Sequence, residues 1–92
     1  MQTLDREKVI ARREYVPDNS VWIAMNLFDG RRTAKLTQGK LAKKAGISCR
    51  RYQDIETAAV GNVTVQTLEA LAKVLRLDIR DLLKPRKDYV RV

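Results

Sequence analysis

Ninety-two residues suffice for one domain and are too few for two, and a composition 45% apolar and 33% charged fits a folded chain rather than a disordered tail. Nineteen Lys and Arg against eleven Asp and Glu give a formal net charge of +8, which raises affinity for polyanions, nucleic acid first and anionic membrane surfaces less directly. With a single cysteine, Cys49, and no histidine, the chain excludes an internal disulfide, a classical zinc finger, a CxxC redox site and histidine-based catalysis.

Positions 8–16 open the pass along the chain. Val9, Ala11, Arg13 and Tyr15 alternate with Ile10, Arg12, Glu14 and Val16. That permits a strand, while Val9, Ile10 and Val16 also permit a helical turn or two. The β-branched and aromatic content favours the strand. Pro17 ends whichever forms, because the residue before proline avoids the helical region. The first helix then starts at Asp18, Asn19 or Ser20, each able to accept a hydrogen bond from free backbone amides. Val21, Ala24, Leu27 and Phe28 form its predicted apolar stripe. Asp29 and Gly30 are its predicted stop, with Gly30 in the left-handed conformation. Arg31, Arg32, Thr33, Ala34 and Lys35 are then either a basic loop or a continuation of the helix past a defect at Gly30.

The second helix is capped by Thr37, lines Gln38, Leu41, Ala42 and Ala45 along one face, and ends at Gly46. Ser48 caps the third, in which Tyr52, Ile55, Glu56 and Ala59 share a side. Gly61 and Asn62 mark the next turn. A fourth helix follows Thr64 and carries Leu68, Leu71, Ala72 and Leu75. A short fifth begins at Asp78, runs through Leu82 and Leu83, and is stopped by Lys84 and Pro85. The tail, 86–92, alternates again, with Tyr89 and Arg91 against Val90 and Val92, and reads as a short strand. There is no internal repeat and no linker, so 1–92 is read as one domain. No apolar run approaches the ~18–20 residues of a membrane span, and no signal-peptide pattern opens the chain. A cytoplasmic setting is expected.

Two short helices joined by Gly46, Ile47 and Ser48 meet specific requirements. Ala42 is small enough for close crossing. Gly46 takes positive φ without a Cβ penalty. Ile47 plugs the corner, Ser48 satisfies the free amides of the next helix, and Ile55 packs inward. The segment 36–48, LTQGKLAKKAGIS, resembles the LTQxxLAxxxGIS signature of the phage Cro and repressor type of helix-turn-helix proteins, the Xre-like family. The likeness continues through Tyr52, Ile55 and Glu56, resumes at 64–68 and 71–75, and includes Leu77, Leu82 and Leu83. It covers roughly 20–83; 1–17 and 86–92 are family-atypical flanks.

The resemblance implies an all-α core: a five-helix Cro/repressor-like domain, here with short N- and C-terminal strands added, whose third helix enters the major groove of double-stranded DNA. In the family, the positions matched by Cys49, Arg50 and Asp54 reach base edges, with Gln53 beside them. Arg50 could donate twice to guanine O6 and N7. Asp54 could accept from cytosine N4 or orient Arg50 one turn below it. Blander readings make Asp54 a surface ion pair with Arg50, Cys49 a small semi-buried residue and Arg51 a solvated charge.

No acidic residue lies between Asp29 and Asp54, an interval that holds Arg31, Arg32, Lys35, Lys40, Lys43, Lys44, Arg50 and Arg51. Gln38 resembles the family's phosphate-contacting glutamine, near a helix end whose amides add to such a contact. Arg31, Arg32, Lys35, Lys40, Lys43 and Arg51 are the other phosphate-contacting candidates. Glu56 resembles a structural residue of the family. Trp22 and Phe28 read as core or dimer packing rather than base stacking, and Tyr52 as core.

The chain also departs from the family pattern. Ala58 stands where glycine is frequent, and 57–61 is about one residue longer than usual, so the third helix is expected to run on to Gly61. The function implied is a sequence-specific transcriptional regulator, most simply a repressor occluding a promoter. It would act as a homodimer on a palindromic operator, with the flanking strands pairing within the chain or across the two-fold axis. Two alternatives compete: the antitoxin and autorepressor of a toxin–antitoxin pair, with a toxin as protein partner, and a protein-interaction accessory module that no longer reads DNA. An enzyme, a cofactor and a bound metal are not expected.

Overall fold

The computed structural model describes residues 19–61 and 63–86. The predicted strand over 8–16 and the predicted tail strand beyond Arg86 lie outside the described residues, as do Asp18 and Asn62. Five helices follow one another: α1 (Asn19–Thr33), α2 (Gln38–Ala45), α3 (Cys49–Glu56), α4 (Val65–Leu75) and α5 (Ile79–Leu83). Among the described residues there is no strand, and the five-helix all-α core expected from the sequence is present.

Four helix starts fall where side-chain chemistry puts them. Thr37, Ser48 and Thr64 have extended backbones and accept from the amides of Lys40, Arg51 and Thr67. Asp78 accepts from the Arg80 amide while the Asp81 carboxylate accepts from the Asp78 amide, closing a capping box. Each such cap stabilises its helix by about 1 kcal/mol. At α1 the candidate caps Asn19 and Ser20 fall inside the helix, and Ser20 is buried.

Two helix ends are decided by the structure. First, of the two readings left open, α1 does not stop at Gly30 but continues past it. A Cβ there would lie 3.2 Å from Leu75 Cδ1 and 3.3 Å from Leu77 Cδ1. Gly30 is therefore a point of close approach between α1 and the end of α4, and the helix continues to Thr33. The actual stop is Lys35 at φ 59°, with the Lys35 and Leu36 amides donating to Arg32 and Arg31 carbonyls. Second, α3 does not run on to Gly61. It closes in a Schellman motif in which Ala58, at φ 60°, donates to Ile55 O and Ala59 donates to Asp54 O.

Ala58 thus occupies a left-handed position that favours glycine, where a Cβ costs roughly 1–2 kcal/mol. Glycine also loses more entropy on folding. Ala58→Gly is expected to stabilise the domain by a net ~0.5–1 kcal/mol. Thermal unfolding followed by circular dichroism should show a rise of about 2–8 °C; an unchanged or lower midpoint would mean that the turn carries no such strain.

The core is built from Ile23, Leu27, Leu41, Ala42, Tyr52, Ile55, Leu68, Leu71, Ala72, Leu75 and Leu82. On α1 the buried stripe is Ser20, Ile23, Ala24 and Leu27, one helical step from the predicted one. Consequently Trp22 is half-buried and Phe28 is 41% exposed; neither belongs to the buried core. A polar clasp ties the exit of α5 to α1. Asn26 Nδ2 donates to Leu82 O and Lys84 O, both at 3.0 Å, and Arg86 reaches Asn26 Oδ1 at 3.2 Å and Asp29 at 2.7 Å.

Candidate nucleic-acid interface

The turn between α2 and α3 fixes the site. Gly46 sits at φ 81°, its amide donates to Lys43 O, and the Ile47 amide donates to Ala42 O. With Leu41 and Ala42 buried on α2 and Tyr52 and Ile55 buried on α3, each helix has one face locked in the core. The opposite edge of α3 is presented outward.

That edge carries the four base-reading candidates. Cys49, Arg50 and Gln53 are exposed and Asp54 is half-buried. Arg50 Nε lies 3.5 Å from Asp54 Oδ1, with the arginine side chain 84% exposed. Cys49 is exposed rather than semi-buried. Gln53 is not independent of the helix before it, because its amide donates to Gln38 Oε1 at 3.3 Å.

Behind this edge lies a buried polar hub. Glu56, whose side chain is 5% exposed, pairs with Arg31, 15% exposed, through Arg31 Nε at 2.9 Å and Nη2 at 3.3 Å. The Tyr52 hydroxyl donates to Glu56 at 2.9 Å and the Gln38 amide donates to its other oxygen. Arg31 Nη1 donates to Leu36 O at 3.0 Å. One carboxylate thereby ties the end of α1, the start of α2 and both turns of α3 together. Burial alone would raise the Glu56 carboxyl; the donors from Arg31, Gln38 and Tyr52 outweigh it and hold it below the ordinary carboxylate value. The hydrogen bond to Glu56, the largest influence, pushes the Arg31 guanidinium up. Burial first, and the hydrogen bond to Glu56 second, push the Tyr52 phenol well up.

Of the phosphate-contacting candidates, Arg32, Lys35, Lys40 and Lys43 are exposed, Arg51 is half-buried and Gln38 is half-buried at the first position of α2. Arg31 sits differently: three of its hydrogen bonds go to Glu56 and Leu36. The sequence makes Arg31 and Gln38 phosphate-contacting candidates and does not show that both also meet Glu56. The available signal was Glu56, an acidic residue one turn from buried Tyr52 on the inward side of α3. Among the described residues no group of three or more His, Cys, Asp or Glu is placed to hold a metal ion, and no helix is long and apolar enough to cross a membrane.

A helix-turn-helix family model matches residues 29–82, and no curated protein matches the chain. Among solved structures, the hypothetical transcription factor NHTF from Neisseria is similar with a TM-score of 0.72 at 22% identity, over 82% of this chain and 88% of that one. At that identity the likeness is one of fold. HppE is also similar, in a cobalt(II) form with substrate and in an iron(II) form, each with a TM-score of 0.67 and at 28% and 25% identity. These cover 73% and 78% of this chain but only 37% and 40% of HppE. The family match spans more than half of the chain and includes the signature, the glycine turn and α4: the chain belongs to the helix-turn-helix family of the Cro and repressor type.

Proposed function

We propose that this protein is a sequence-specific double-stranded-DNA-binding transcriptional regulator, a repressor that occludes promoters by placing α3 in the major groove. The observation that carries the reading is the division of α3. Tyr52 and Ile55 are locked into the core while Cys49, Arg50, Gln53 and Asp54 form one accessible edge. In this reading Arg50 donates to guanine O6 and N7, and Asp54 orients it or accepts from cytosine N4. Gln38, Arg32, Lys35, Lys40, Lys43 and Arg51 grip the backbone, helped by the free amides at the start of α2. Residues 1–92 act as one non-catalytic, cytoplasmic domain without a cofactor. A homodimer reading two half-sites about one helical turn apart gives so short a helix useful specificity.

Selection of bound duplexes from a random pool tests this. The expected result is a symmetric consensus with a guanine in each half-site, bound by a species of twice the monomer mass in sedimentation. With about five Lys and Arg contacts to phosphate per subunit, log affinity should fall against log salt with a slope of about −4 to −5 per subunit. Sequence-independent retention, or none at all, would refute the reading.

A further inference from the structure

Phe28 is 41% exposed on α1, outside the buried stripe of Ile23, Ala24 and Leu27. Its ring carries two guanidiniums: Arg31 Cζ lies 5.6 Å and Arg32 Cζ 5.4 Å from the centroid. Both distances are within cation–π range. The two arginines differ in what else they do. Arg31 is drawn inward by Glu56 and the Leu36 carbonyl, whereas Arg32 is exposed. Phe28 and Glu56 border the same surface depression, and Glu56 also accepts from Gln38 at the start of α2. A continuous series of contacts therefore runs from Gln38 through Glu56, Arg31 and Phe28 to Arg32.

We propose that Phe28 is a positioning residue of the DNA interface, a platform that holds the Arg32 guanidinium ready for a backbone phosphate at a fixed offset from the α2 N-terminus. This rests on the DNA-binding reading above. The chemistry suits the task. A guanidinium's five donors lie in its plane, so a ring against its face leaves the donor edges open to phosphate oxygens. A long side chain already held over a ring loses less freedom when the phosphate arrives. Spacing does the rest, because residues four apart share one face of a helix.

The test is a double-mutant cycle on a random-sequence 20-base-pair duplex, read by fluorescence anisotropy across a salt series. Phe28→Leu keeps apolar bulk without the ring and is expected to weaken binding about 2–5-fold. Phe28→Tyr keeps the ring and should bind like wild type. Arg32→Ala should weaken binding at least as much as Phe28→Leu and make the salt slope shallower by about one contact. The double variant should bind no worse than Arg32→Ala alone. Wild-type binding by Phe28→Leu, or losses that multiply in the double variant, would overturn the proposal and leave the DNA-binding reading standing. A purely structural role through Arg31 would show as that multiplication. Absence of salt-dependent binding by the wild type would overturn both.

Discussion

Glu56→Ala is expected to destabilise the fold by about 3–5 kcal/mol, the range for breaking one side of a buried ion pair. A chain of this size has a total stability of only roughly 5–14 kcal/mol, so the midpoint of thermal unfolding should fall by more than ~10 °C. The cause is what the missing carboxylate leaves behind. The Arg31 guanidinium, with its side chain 15% exposed, loses its counter-ion, and Tyr52 and Gln38 lose their acceptor. Glu56→Gln retains part of the hydrogen bonding without the charge and should fall between alanine and wild type. Replacing Arg31 by Met together with Glu56 by Leu should cost less than the two single changes added together, since neither charge is then stranded. Additive losses in that cycle would mean that the residues do not act as a pair.

The same hub sets a pH dependence. The Glu56 carboxyl is held below its ordinary value of about 4.3 in the folded protein. The unfolded chain then binds that proton more readily than the folded one. The resulting stability is fully present above the unfolded value and is lost as pH falls through the lower folded one. Urea unfolding between pH 6 and 3 should therefore show wild type losing stability on acidification more steeply than Glu56→Gln. Parallel curves would contradict the assignment.

Local chemistry made most of the scaffold legible in the sequence. Thr37, Ser48, Thr64 and Asp78 cap their helices through their own side chains, and Gly46 turns the chain through its own backbone. Most of the places that local chemistry leaves open depend on partners far along the chain. Gly30 resembles a stop by composition, yet its use is to admit Leu75 and Leu77. Ala58 closes α3 in a left-handed conformation that glycine would have announced. Arg31 lies in a basic run, and nothing in its neighbourhood announces the ion pair it makes with Glu56, 25 positions on. Spacing from Val21 puts Phe28 in the apolar stripe, whereas the fold buries Ile23 and leaves Phe28 outside. The outward residues of α3 were legible because a cap at Ser48 and inward Tyr52 and Ile55 determine which positions remain.

Arg50→Ala is expected to lower affinity for the selected site by about 5–150-fold, the equivalent of the 1–3 kcal/mol that a bidentate arginine–guanine pair contributes to discrimination. Affinity for random duplex should change by less than about twofold. The fold should not register the change. Arg50 is 84% exposed, and its contact with Asp54 at 3.5 Å is a surface pair of the kind worth ~0–1 kcal/mol. Binding and stability therefore separate cleanly here, as they do not at Glu56. If Arg50→Ala weakens specific and random duplexes equally, Arg50 is a backbone contact and the base-reading role fails. Asp54→Ala then distinguishes its two roles. An orienting carboxylate predicts a loss contained within that of Arg50→Ala, with the same base position relaxed and no further loss in the double variant. A carboxylate reading cytosine predicts relaxation at a neighbouring base pair and additive losses. In the orienting arrangement the Arg50 Nε, 3.5 Å from Asp54 Oδ1, would stay with the carboxylate, and both Nη groups would be left for guanine O6 and N7.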